Sequence, residues 1–290
     1  MSAPAIPPLV AAYCAEHALG PVVAAEALSG GIICATRRLT TATGASLVVK
    51  QDRGCAHDFF RLEARGLGAI AMADGWRVPA VLAFDHECLV LEDLGRGDVR
   101  AGDFSERLGR AWARLHGRLG ARFGWDADNY YGRYRMDNRW RDDGCGFYAE
   151  TRFLPWLRRP RCAALFGVGD RRDLERVCAR FADLMPDQRP TLLHGDLWYG
   201  NLLADRAGAP AVVDPSPHYG WPEEDLHNAQ MFGGFDQRFW DAYRECHPLD
   251  PGWRERLEIF YLPHLMGMIE HGCDVAESLA WARAILRRYA

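Results

Sequence analysis

Residues 191–201 read Thr-Leu-Leu-His-Gly-Asp-Leu-Trp-Tyr-Gly-Asn. A short apolar run delivers His194, Gly195 and Asp196, and Asn201 follows five residues after the aspartate. Thirteen residues beyond Asn201, a second apolar run over 211–213 delivers Asp214, followed by Pro215. A carboxylate, an amide and a second carboxylate at this spacing suit phosphoryl transfer. That reaction needs a carboxylate to orient an attacking hydroxyl and accept its proton, oxygen ligands for a divalent cation, and positive charge on the phosphate oxygens. Mg²⁺ takes hard oxygen donors and keeps several waters, so one amide oxygen and one carboxylate suffice beside a nucleotide's own phosphates. Asp196 fits the base, and Asn201 and Asp214 fit the metal ligands.

Lys50 fits the phosphate cation. It is the only lysine in the chain, all other basic side chains being arginine or histidine. Arginine is a wide planar fork, whereas lysine is a compact charge on a thin stem. A chain that uses arginine everywhere else and keeps lysine here points to a tight site facing a phosphate or carboxylate.

The elements that must position these groups are legible from periodicity. A helix is expected over 9–19, stopped by Gly20 and Pro21. Gly30 and Gly31 open a run rich in β-branched residues, with a turn at Thr43-Gly44 and a buried strand over 46–50 that ends in Lys50. A helix over 58–71 carries Glu63 in its first turns, and strands follow over 81–84 and 88–91. Glu92-Asp93-Leu94-Gly95 forms an acidic turn. It divides an N-terminal lobe, 1–95, from a mainly helical lobe, 96–290. In the second lobe Ser105 reads as the N-cap of a helix with Leu108, Trp112, Leu115, Leu119 and Phe123 on one face, ended by Gly124. His116 beside that face reads as structural. Residues 125–145 read as an ordered, aromatic-rich loop able to line a cleft, and further helices, with breaks, are expected over 147–158, 170–184, 236–246 and 253–288.

These residues resemble the catalytic loop of the protein-kinase-like superfamily, in the His-Gly-Asp-x-x-x-x-Asn form found in small-molecule kinases. The resemblance implies a bilobal α+β fold with a small antiparallel sheet lobe. It implies ATP held by Lys50 paired to Glu63, a phosphate-covering turn at Gly30 and Gly31, and an adenine hinge at Glu92, Asp93 and Leu94. A closer resemblance, to the fructosamine kinase (ketosamine kinase) family, rests on several segments in order. They are His57-Asp58-x-Phe60-x-x-Glu63-Ala64-x-Gly66-Leu67, Phe123-Gly124-Trp125-x-x-Asp128-Asn129-x-x-Gly132, and His194-Gly195-Asp196-Leu197-Trp198-x-Gly200-Asn201. Asp214-Pro215, Tyr219-Gly220, Glu223, Asp225-Leu226 and Phe232-Gly233-Gly234-Phe235 complete the set, which runs from about Leu28 to Tyr261. That family implies MgATP-dependent phosphorylation of the sugar on a glycated amine, usually at the 3-hydroxyl. The product phosphate lies β to a ketone and eliminates, freeing the amine. Trp198 would stack on the sugar or a cationic amine, and Tyr219 and Glu223 would contact the acceptor. Met136, Gly144, Trp221 and Pro222 depart from the family's residues and are expected to border the acceptor pocket.

Composition closes several other routes. A net charge of −4 gives no basic excess for nucleic acid, and no run approaches the roughly 20 apolar residues of a membrane span. The N-terminus lacks a basic start and meets Glu16 early, and nine scattered cysteines include no Cys-x-x-Cys pair, so a reduced, cytoplasmic protein is expected. Cys34, in the phosphate-covering segment, reads as a bystander thiol. No Gly-x-x-x-x-Gly-Lys-Ser/Thr loop or Gly-x-Ser-x-Gly elbow occurs, and Asp214-Pro215 in place of Asp-Phe-Gly argues against a protein kinase. Two alternatives stay open: a kinase of another hydroxyl acceptor, such as an aminoglycoside or amino alcohol, and a nucleotide-binding scaffold without turnover. Oligomeric state is open, a monomer included.

Overall fold

A computed structural model describes residues 6–28, 33–100 and 102–290. Gly30 and Gly31 lie outside the described residues. The chain opens with α1 (Pro8–Glu16) and then lays down β1 (Val22–Ala27), β2 (Ala35–Thr41) and β3 (Ser46–Gln51). Next come α2 (Phe59–Ile70), β4 (Val81–Phe84) and β5 (Cys88–Glu92). The five strands form one antiparallel sheet in the order β1-β2-β3-β5-β4.

Alternation along the strands decides which face each side chain takes. Leu39, Leu47, Val49 and Val90 pack under Val10 and Cys14 of α1 on one face. On the other, Leu89 and Leu91 meet Phe60 and Leu67 of α2. Lys50 follows Val49, so its side chain takes the α2 face, where Glu63 waits.

The remaining chain is mainly helical: α3 (Phe104–His116), then a short hairpin of β6 (Asn129–Tyr131) and β7 (Tyr134–Met136). α4 (Gly144–Tyr148) runs into a π turn at Ala149–Phe153 and a 3-10 turn at Leu154–Arg158. α5 (Pro160–Leu165), α6 (Val168–Ala179) and α7 (Phe181–Leu184) follow. Two short antiparallel pairs then carry the catalytic segment: β8 (Thr191–Leu192) with β11 (Tyr219–Gly220), and β9 (Leu202–Ala204) with β10 (Pro210–Val212). α8 (Pro222–Met231), α9 (Gln237–Cys246), α10 (Trp253–His271) and α11 (Val275–Tyr289) complete the lobe, with α10 in its core between α8 and α11.

One helix departs from expectation here, for a physical reason. The helix expected to reach Gly124 stops at His116, because Gly117 and Gly120 weaken it and Leu119 bridges to Thr191 instead. Its start is at Phe104, and no side chain caps it. The broken helical stretch expected over 253–288 is α10 and α11, with the break at Gly272, φ 81°.

Candidate active site

Lys50 Nζ donates to Glu63 Oε1 at 2.6 Å and to Asp214 Oδ1 at 2.9 Å. Burial opposes the charged ammonium, but the Asp214 and Glu63 carboxylates outweigh it and raise the Lys50 pKa above its ordinary value. Three elements meet in this contact: the end of β3, α2, and the segment leaving β10.

The loop after β8 crosses that segment closely. Gly195 has φ 83°, and a Cβ there would overlap the Ser216 carbonyl, so glycine is required. Ser216 N donates to His194 O at 2.8 Å. His194 is a neutral strut: burial lowers its pKa, Nδ1 accepts from Asp196 N at 3.3 Å, and Nε2 reaches Val213 O at 3.1 Å. Beneath it, the buried Asp225 of α8 accepts from His194 N at 2.7 Å and Gly195 N at 2.8 Å. Burial would raise the Asp225 pKa, yet bonds from His116 and these amides hold it at about 2. A fixed anion therefore anchors the backbone that presents Asp196.

Asp196 accepts from Asn201 Nδ2, at 2.8 Å on its carbonyl and 3.2 Å on Oδ2. Enclosure and the nearby Asp214 charge push its carboxyl well above the usual range. Asp214 itself takes a left-handed backbone, φ 58°, uncommon for a non-glycine residue and placed where function concentrates. Lys50, Glu63, Asp196, Trp198, Asn201 and Asp214 all line one cavity of about 280 Å³.

The family model for fructosamine kinase matches residues 10–275, nearly the whole chain. The chain belongs to the fructosamine kinase family. It is 35% identical over 227 residues, 75% of each chain, to a Synechocystis protein named as a probable ketoamine kinase. It is 30% identical to the chloroplastic protein-ribulosamine 3-kinase of Arabidopsis thaliana, over 82% of this chain and 74% of that one. A crystal structure of a candidate fructosamine-3-kinase from Thermobifida fusca superposes with a TM-score of 0.81 at 33% identity, covering 92% of this chain and 95% of that one. An aminoglycoside phosphotransferase structure shares the fold alone, with a TM-score of 0.62 at 15% identity over 97% and 99% of the two chains. This fructosamine kinase family member is thus a phosphotransferase acting on a hydroxyl group, in a bilobal protein-kinase-like fold.

Not every residue singled out in the sequence of this fructosamine kinase family member reaches the cavity. Glu92 is taken by Arg77 at 2.7 Å, and Asp93 by Arg38 at 2.9 Å and Ser46 at 2.6 Å. Leu94 is buried, and none of these three side chains lines the cavity. Tyr219 and Glu223, expected at the acceptor, are also elsewhere. Tyr219 pairs with Leu192 and lies over Gly120 beside Trp140. Glu223 is buried and tied to Arg256 at 3.1 Å and Gln188 at 2.8 Å. Met136, Gly144, Trp221 and Pro222 do not border the cavity either. A Cβ on Gly144 would run into Phe123 and Trp221, and Trp221 stacks on Tyr148 at 4.4 Å, so this is aromatic core. Burial pushes the Cys34 thiol up to about 12, in keeping with a bystander.

The cavity also has walls not singled out in advance. Tyr130, Tyr131 and Gly132 come from the β6–β7 hairpin, and His264, Met268 and His271 from one face of α10. The i, i+4, i+7 spacing of the last three was a readable signal for one helix face. Its destination was not readable.

Proposed function

We propose that this chain transfers the terminal phosphoryl group of MgATP to a sugar hydroxyl of a glycated amine of the fructosamine or ribulosamine type, with Asp196 as the base. The observation that carries the reading is the convergence of Asp196, Asn201, Asp214 and Lys50 on one cavity whose far wall is aromatic. Asp196 orients the acceptor hydroxyl and takes its proton. Lys50, held by Glu63, sits where it can neutralise phosphate oxygens. The N-terminal lobe, 1–95, would hold the nucleotide, with Glu92, Asp93 and Leu94 contributing backbone groups, and residues 96–290 the acceptor.

The donor set fits a hard divalent cation. Among the described residues no group of three His, Cys, Asp or Glu side chains could hold a metal alone. Asn201 turns its Nδ2 to Asp196, which leaves its oxygen for a ligand, and Asp214 offers the oxygen that Lys50 does not take. The enclosed Asp196 carboxyl, pushed up by burial and by the Asp214 charge beside it, favours a cation between the two. Asn201 and Asp214 would hold Mg²⁺, which would offset negative charge on the phosphate oxygens.

Around Asp196 the acceptor wall consists of Tyr131, Trp198, Phe232, His264 and Met268. Sugar faces pack on such rings. A polycationic aminoglycoside would look for carboxylates, and this wall adds none to the catalytic set, which favours the glycated amine. A scaffold without turnover would lack one of the four reacting groups, and all four are present. All nine cysteines are free thiols, which supports a reducing, cytoplasmic setting. Among the described residues no helix is long and apolar enough to cross a membrane.

ADP release from MgATP across glycated amines, aminoglycosides and amino alcohols tests the reading. Turnover on ribulosamines or fructosamines is expected; turnover confined to another class would overturn the acceptor while keeping the mechanism.

A further inference from the structure

The β6–β7 hairpin belongs to the helical lobe, yet its side chains grip the sheet lobe. Tyr130 Oη donates to Asp58 Oδ1 at 2.8 Å, and Arg135 Nη1 donates to Asp58 Oδ2 at 3.0 Å. The Tyr130 ring lies 5.2 Å from that of Phe59. At the hairpin turn, Arg133 pairs with Asp52 at 2.6 Å, just beyond β3. Asp58 immediately precedes α2, five residues before Glu63, so the grip acts on the helix that holds Lys50.

We propose that this hairpin is a clasp that positions α2, and through Glu63 the Lys50 ammonium, for the nucleotide, with Asp58, Tyr130 and Arg135 as positioning residues. The inference rests on the nucleotide role given to Lys50 above. Further contacts point the same way. Gly66 of α2 packs so closely on Pro215 and Pro217 that a Cβ would fall 3.2 Å from the Pro215 carbonyl, which ties the helix to the Asp214 segment. Arg65 pairs with Asp126 on the same seam. Arg135 is itself steered by Asp128 at 3.0 Å, so its fork is aimed before it meets Asp58. The hairpin also walls the cavity with Tyr131 and Gly132. An acceptor resting on that wall steadies the clasp, and so the site for the nucleotide: the two substrates bind with positive coupling.

The test is MgATP affinity, by calorimetric titration of the full chain without acceptor, for wild type, Arg135→Gln and Tyr130→Phe. Arg135→Gln is expected to weaken MgATP binding about tenfold while kcat at saturating MgATP stays within about threefold of wild type. Wild-type affinity should fall as salt is raised, because exposed ion pairs are screened, and Arg135→Gln should flatten that dependence. Arg135→Lys should recover part of the loss. If Arg135→Gln fails to fold, Tyr130→Phe and the wild-type salt series carry the test. Unchanged affinity in either folded variant, or a wild-type affinity indifferent to salt, would overturn the clasp. Because binding is read without acceptor, a failure of every glycated amine to turn over would sink the acceptor reading and leave this result standing.

Discussion

Lys50 Nζ and Asp214 Oδ1 are 2.9 Å apart although 164 positions separate them in the chain. The contact joins the end of β3 in the sheet lobe to the segment leaving β10 in the helical lobe, where Asp214 is the proposed metal ligand. Lys50 is 7% exposed, and its thin stem is what fits between Glu63 and Asp214. A guanidinium in that space would displace one of its partners.

Lys50→Arg should therefore lower kcat/KM for MgATP by about 100-fold, a loss of about 3 kcal/mol, despite keeping the charge. Steady-state kinetics with ATP varied check it. A lysine-reactive ATP probe should label Lys50 in the wild type and be blocked by excess MgATP. Full activity in the variant would place Lys50 outside the phosphate site.

Asp225 uses both oxygens to hold the amides of His194 and Gly195. Asparagine would face one of those N–H groups with its own NH₂. Asp225→Asn should cost kcat about 10- to 100-fold through a displaced Asp196, with little change in KM for MgATP.

The same carboxylate carries a pH signature. Its pKa is depressed when folded, at about 2, and so is that of Glu224, which burial would raise but His218 and Arg152 hold at about 2. Depressed carboxylates contribute stability above their unfolded values and lose it as pH falls toward the folded ones. Urea unfolding should show stability dropping from about pH 4 downward, each group contributing on the order of 2 kcal/mol. Asp225→Asn should make that decline shallower, and an unchanged slope would contradict the assignment.

Trp198 lies over Gly200, where no Cβ could fit, and its ring is 5.7 Å from that of Phe232. Trp198→Ala should raise the acceptor KM about tenfold and leave KM for MgATP near wild type. A change in the nucleotide constant alone would show that the ring serves the other substrate.

Much of this site was legible because its chemistry is carried by short segments whose local structure is strong. His194, Asp196 and Asn201 follow one strand, Asp214 ends another, Lys50 ends a third, and Glu63 rides an amphipathic helix. Direction was harder to read than identity. Tyr219 and Glu223 stand in the right segments, but β11 turns Tyr219 toward Gly120, and Glu223 is spent on Arg256. Helical spacing at Leu119 and Phe123 was real but lost to two glycines and a bridge to Thr191. The cavity wall of His264, Met268 and His271 depends on α10 reaching the cleft from far along the chain, a packing outcome no local pattern contains.

The most direct test of the account is phosphoryl transfer to a ribulosamine by Asp196→Asn, with MgATP affinity measured on the same sample. The account predicts a loss of about 100- to 10,000-fold in turnover with affinity close to wild type. Near-normal turnover in that variant would contradict the assignment of Asp196 as the base.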